Sequence, residues 1–102
     1  MQIQQGDVLI EMAAIPKKAR RLNTLTLAEG EVTGHAHRIV AELPSVATVF
    51  EEKGTMYLKV EGGTVTLVHE EHAPLTIKKG EYKIGRVLEY DYDIEEARKV
   101  RD

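Results

Sequence analysis

The sequence predicts an all-β domain, a small barrel or sandwich carrying one short C-terminal helix, and three observations predict it. Short runs rich in Val, Ile, Thr and Tyr recur at intervals of about 8 to 12 residues, the spacing of sandwich and barrel strands. Glycines and charged clusters punctuate the runs, as in Glu51-Glu52-Lys53-Gly54 and Glu61-Gly62-Gly63. Glycine, lacking a Cβ, there allows the positive φ angles of tight hairpins. Within the runs apolar residues alternate, so Val65, Leu67 and His69 share one face of TVTLVH, and Met56, Leu58 and Val60 share one face of MYLKV.

Taken in order, the expected strands are 6–12, 24–29, 35–43, 47–52, 55–60, 64–69, 74–77 and 82–92. The two that flank Gly62-Gly63 are expected to pair. After Tyr92 the period changes. Asp93 with Glu96 has the form of a capping box, Tyr92 can staple onto Ala97, and Arg98, Lys99 and Arg101 suit the negative end of a helix dipole. A helix is therefore expected over 94–101. It is too short to be stable alone, so Ile94, Ala97 and Val100 are expected to pack on the sheet.

With 102 residues, 42% of them hydrophobic and 30% charged, the chain has the make-up of one globular domain, 1–102, around one core. A net charge of -3 offers no global field for nucleic acid, and a single Phe with no Trp leaves few stacking platforms. Nucleic-acid binding is accordingly not expected, and the basic cluster Lys17, Lys18, Arg20 and Arg21 reads as a solvated loop. The absence of cysteine excludes disulfides, thiolate metal ligands and a cysteine nucleophile. The first residues place an apolar run before the basic cluster, the reverse of a secretory signal. No run approaches the roughly 20 apolar residues of a membrane span. A cytoplasmic protein without membrane contact is expected.

Chemistry concentrates in the histidines. All four stand in two pairs, His35-x-His37 and His69-Glu70-Glu71-His72. Side chains two apart on a strand share a face about 6 to 7 Å apart, so His35 and His37 can converge on one ion. Glu42 could join them only if a bulge intervenes, because simple alternation turns it to the other face. His69 ends a strand and His72 sits in the turn before Pro74, so the two can bracket a ligand. A set of His35, His37, His69, His72 and Glu42 suits a divalent metal, zinc first, with iron, nickel or manganese as alternatives. An open position on such an ion would acidify a bound water, and Glu70, Glu71 or Glu42 could then serve as general base on a small-molecule substrate. The competing reading is a polar seam or an interface of a homo-oligomer, in which each ring ties down a carbonyl or a glutamate. A non-enzymatic binding or assembly module that associates through open strand edges fits that second reading. No phosphate-binding glycine loop, nucleophile elbow or zinc-protease helix is present. EGEVTGHAH and EGGTVTLVHEEH share a faint self-similarity, which suggests that the two pairs occupy related positions on two sheets.

Two resemblances extend this reading. His35-x-His37 followed by Glu42 is similar to the first motif of the cupin superfamily, small β-barrels that hold a divalent metal with two histidines, a glutamate and a later histidine. The resemblance implies a metal on His35, His37 and Glu42 and a strand-turn-strand at LTIKKGEYKIG. No histidine follows Lys78-Lys79-Gly80, where that motif would place its last ligand. Over nearly the whole chain, QGDVLI, LAEGEVTGHAHRI, LVHEEHAPL and KGEYKIGRVLEYD resemble a family of short uncharacterised phage and bacterial proteins. That likeness implies that the histidine strings are the functional core, and it implies no particular activity.

Overall fold

Alternation along the strands turns one side of each inward, and the inward sides meet between two antiparallel sheets. The computed structural model describes residues 2–29 and 35–86. Ten strands run through them: β1 (Gln2–Gln5), β2 (Val8–Met12), β3 (Arg20–Leu22), β4 (Thr26–Glu29), β5 (Ala36–Val40), β6 (Ala47–Glu52), β7 (Thr55–Val60), β8 (Val65–His69), β9 (His72–Ile77) and β10 (Gly80–Arg86). One sheet has the order β1-β2-β10-β7-β6-β3 and the other β4-β5-β8-β9. The molecule is thus an all-β sandwich, with no α-helix among the described residues. No helix of the described residues is long and apolar enough to cross a membrane. The expected helix over 94–101, and the run 82–92 beyond Arg86, lie outside the described residues.

The core is the set that alternation selects. Val8, Ile10, Val49, Leu58, Leu67 and Ile77 are wholly buried, and Val60, Val65 and Tyr82 nearly so. Each large apolar side chain so buried contributes about 1.5–3 kcal/mol of favourable transfer. The Tyr82 hydroxyl, carried in with its ring, donates to the Lys78 carbonyl at 2.6 Å. That bond prevents the loss that an unpartnered buried hydroxyl would cause.

The β6–β7 hairpin forms as the sequence predicts. Lys53 and Gly54 take φ of 52° and 83°, the left-handed pair that a two-residue primed turn requires. Gly62-Gly63 behaves differently. Here the expected pairing of 55–60 with 64–69 is corrected, since β7 pairs with β6 and β10 while β8 pairs with β5 and β9. The glycines carry the chain from one sheet to the other instead of folding it back on itself. Two short strands were not expected. QIQQ (β1) and RRL (β3) are too polar to show alternation, yet β1 pairs with β2 and β3 with β6. Arg20 and Arg21 therefore belong to an edge strand, with Arg20 paired to Glu51 at 2.6 Å, while Lys17 and Lys18 remain exposed in the loop before it.

Candidate functional site

β5, β8 and β9 are adjacent in the smaller sheet, and their register brings the two histidine strings together. β8 and β9 form a hairpin in which His69 and His72 are cross-strand partners around the Glu70-Glu71 turn, with a bulge between Leu67 and His69. His72 thus opens a strand and does not lie in the turn. β5 pairs with β8 through Arg38↔Val68, so His37 stands beside His69. Both strings therefore occupy one sheet, which corrects the expectation of related positions on two.

The rings gather closely. The centroid of His69 lies 4.3 Å from that of His37, 4.7 Å from that of His72 and 5.7 Å from that of His35, and His37 and His72 are 5.9 Å apart. His37 is buried at 3% exposure, whereas the other three are half-buried. One ligand atom each from His35, His69 and Glu70 falls within 4.8 Å of the others, close enough to share an ion. Glu42 is placed elsewhere. β5 ends at Val40, roughly 10 Å along the strand from His37, and Glu42 follows it, exposed.

The two acidic residues of the turn differ in their surroundings. Glu70 accepts from the Ala36 N–H and from Arg38, both at 2.9 Å, and these bonds hold its carboxyl down to about 2. It stays an anion, suited to a cation and unsuited to taking up a proton. Glu71 is more exposed, with its carboxylate 3.5 Å from His35 Nδ1. Its backbone N–H donates to His69 Nδ1 at 3.0 Å, so that nitrogen carries a lone pair.

A third wall comes from the other sheet, and nothing in the histidine strings announces it. The β1–β2 turn contributes three consecutive residues, Gln5, Gly6 and Asp7. Gln5, buried at 3% exposure, donates its amide hydrogens to the Leu67 and Ala73 carbonyls, both at 2.9 Å. Carbonyls only accept, so the amide orientation is settled, and its oxygen must face His37 Nδ1 at 2.8 Å. His37 Nδ1 is therefore the donor, and the lone pair of the neutral ring resides on Nε2. Burial holds His37 down to about 4; the nearby His69 adds to the effect, while Asp7 opposes it.

Gly6, at φ 60°, lies flat against the rings. A Cβ there would come 2.7 Å from His72 Nε2 and 3.2 Å from His37 Cε1. Asp7 completes the wall. Its Oδ2 is taken by Arg86, at 2.7 Å from one guanidinium nitrogen and 3.0 Å from another, while Oδ1 stands 3.6 Å from His37 Nε2. Burial raises the Asp7 carboxyl, but hydrogen bonding and charge from Arg86 outweigh it, and the net shift is downward. The only sequence cue to this wall was that Gly-Asp is a turn string. A crevice of about 390 Å³ at the opposite edge of the larger sheet, lined by Leu22, Asn23, Thr24, Leu25 and neighbours, has no imidazole or carboxylate and is apart from this site.

The chain matches no curated protein and no solved structure. Residues 4–87, which include every side chain of the site, match one protein family. The protein belongs to that family, described as a domain of unknown function, DUF8820.

Proposed function

We propose that this domain binds a divalent transition metal, zinc first and nickel, iron or manganese as alternatives, through His35, His69 and Glu70. One observation carries the reading: side chains over thirty positions apart in the chain place their ligand atoms within 4.8 Å of one another, inside a cluster of all four imidazoles. Two nitrogens and an ionised oxygen form a donor set that such ions favour over magnesium or calcium. Glu70 also receives Arg38 and the Ala36 N–H, the kind of outer partners that orient a ligating carboxylate.

The chemistry open to such a centre is that of a three-ligand ion with room for water or a small molecule. When bound, the ion would supply Lewis acidity. Of the two hairpin glutamates considered as bases, Glu71 is the one left for that role, since Glu70 is a ligand in this reading and its bonds to Arg38 and the Ala36 N–H make it a poor proton acceptor. Hydrolysis of a small polar substrate is the activity this arrangement favours. This ligand set differs from the one the cupin likeness implies: it shares His35, and takes His69 and Glu70 of the hairpin where that motif would use His37 and Glu42.

Elemental analysis of the purified full chain, stripped and reloaded with zinc, tests the reading. Metal is expected in wild type, with loss of a zinc equivalent in His35→Ala. Loading must also disturb the Glu71 amide resonance. Whether the ion takes His69 Nδ1 or drives a proton onto it, that nitrogen ceases to accept from Glu71. Wild type that takes up no zinc would sink the proposal.

A further inference from the structure

We propose a second cation position beside the first, formed by His37 Nε2 and Asp7 Oδ1. It starts from the metal-binding reading of the imidazole cluster but uses different atoms, and it recruits the larger sheet through the β1–β2 turn. Three geometric observations carry it. The amide of Gln5, fixed by two carbonyls, makes His37 donate from Nδ1, so Nε2 presents a lone pair. A ring locked by a hydrogen bond on one nitrogen and open on the other has the form of a metal-ligating histidine.

Arg86 occupies only Oδ2 of Asp7, so Oδ1 is left facing that lone pair at 3.6 Å. Two acceptors confronting each other repel unless a cation or a proton lies between them. Ligands about 2.0–2.2 Å from a tetrahedral zinc are roughly 3.4 Å apart, which this spacing nearly meets. Finally, the missing Cβ of Gly6 leaves room where His72 Nε2 and His37 Cε1 approach the turn. Any other residue would fill that space with its Cβ.

The experiment is equilibrium dialysis of the metal-stripped full chain against zinc, with metal counted per chain. Wild type should bind two equivalents. Asp7→Asn should bind one, because an amide still accepts from Arg86 but is a weak zinc ligand, and His35→Ala should retain the equivalent that Asp7→Asn loses. Copper(II) titrated into wild type gives a measurement that needs no variant. The second equivalent should broaden the electron paramagnetic resonance spectrum by dipolar coupling between neighbouring ions. A single equivalent in wild type, lost in His35→Ala and kept in Asp7→Asn, would overturn the second position and leave the first intact. Two equivalents that both survive Asp7→Asn, or two magnetically isolated copper ions, would also overturn it. No uptake at all would remove both positions together.

Discussion

At the scale of single residues, His37 shows how burial and a fixed hydrogen bond set a protonation state. Its folded value of about 4 lies below the ordinary 6.5, so between these values the unfolded chain binds more protons than the folded one. Stability from this residue is complete above pH 6.5 and is lost as the pH falls toward 4, by up to about 3 kcal/mol. Glu70 acts in the next window, its contribution present above pH 4.5 and lost as the pH approaches 2. Denaturant melts of the metal-stripped protein at stepped pH should show the first loss above pH 4, and His37→Gln should flatten it. An unchanged slope in that variant would assign the loss to other groups. The imidazoles were legible in the sequence because they are few and paired. Gln5, Gly6 and Asp7 were not, since their meaning lies in contacts with residues 30 to 79 positions away.

At the scale of elements, the β1–β2 hairpin is both a structural turn and a wall of the site, so one backbone position serves both. Gly6→Ala would add a methyl group 2.7 Å from His72 Nε2 and impose a φ of 60° on a residue with a Cβ. Left-handed backbone at a non-glycine residue costs on the order of 1–3 kcal/mol. His72 must also swing aside. The variant should lose stability of that order, read by denaturant midpoint, and should shift the His72 ring resonances. By contrast, Gly54→Ala meets nothing within 4 Å and carries only the backbone cost. If the His72 resonances of the Gly6 variant match wild type, the close approach has no consequence. Element by element, strands with apolar alternation were readable, whereas β1 and β3 were hidden because their partners, not their composition, make them strands. The Gly62-Gly63 link was readable as a turn, but which sheet it leads to depends on β10 arriving between β2 and β7.

At the scale of the molecule, the two sheets are joined by more than their apolar faces. Gln5 on β1 reaches carbonyls of β8 and β9, and the turn after it meets the imidazoles of the smaller sheet. A cation held there would cross-link the layers, and a cation on His35, His69 and Glu70 would pin β5 to the β8–β9 turn. Neither geometry exists in an unfolded chain, so binding must raise the melting temperature. At free metal a hundredfold above Kd, one site adds about 2.7 kcal/mol. For a domain of this size each kcal/mol moves Tm by roughly 4–8 °C, so zinc should raise it by roughly 10–20 °C per site and a chelator should reverse the rise. The increment should grow with the logarithm of free zinc and shrink in Asp7→Asn, since that variant keeps only the bond within one sheet. Amide exchange would locate the effect, with new protection in β1 and β2 when both positions fill and in β5 and β8 alone when the variant is loaded. A melting temperature indifferent to zinc over that range would mean that the imidazoles hold no ion in the folded state.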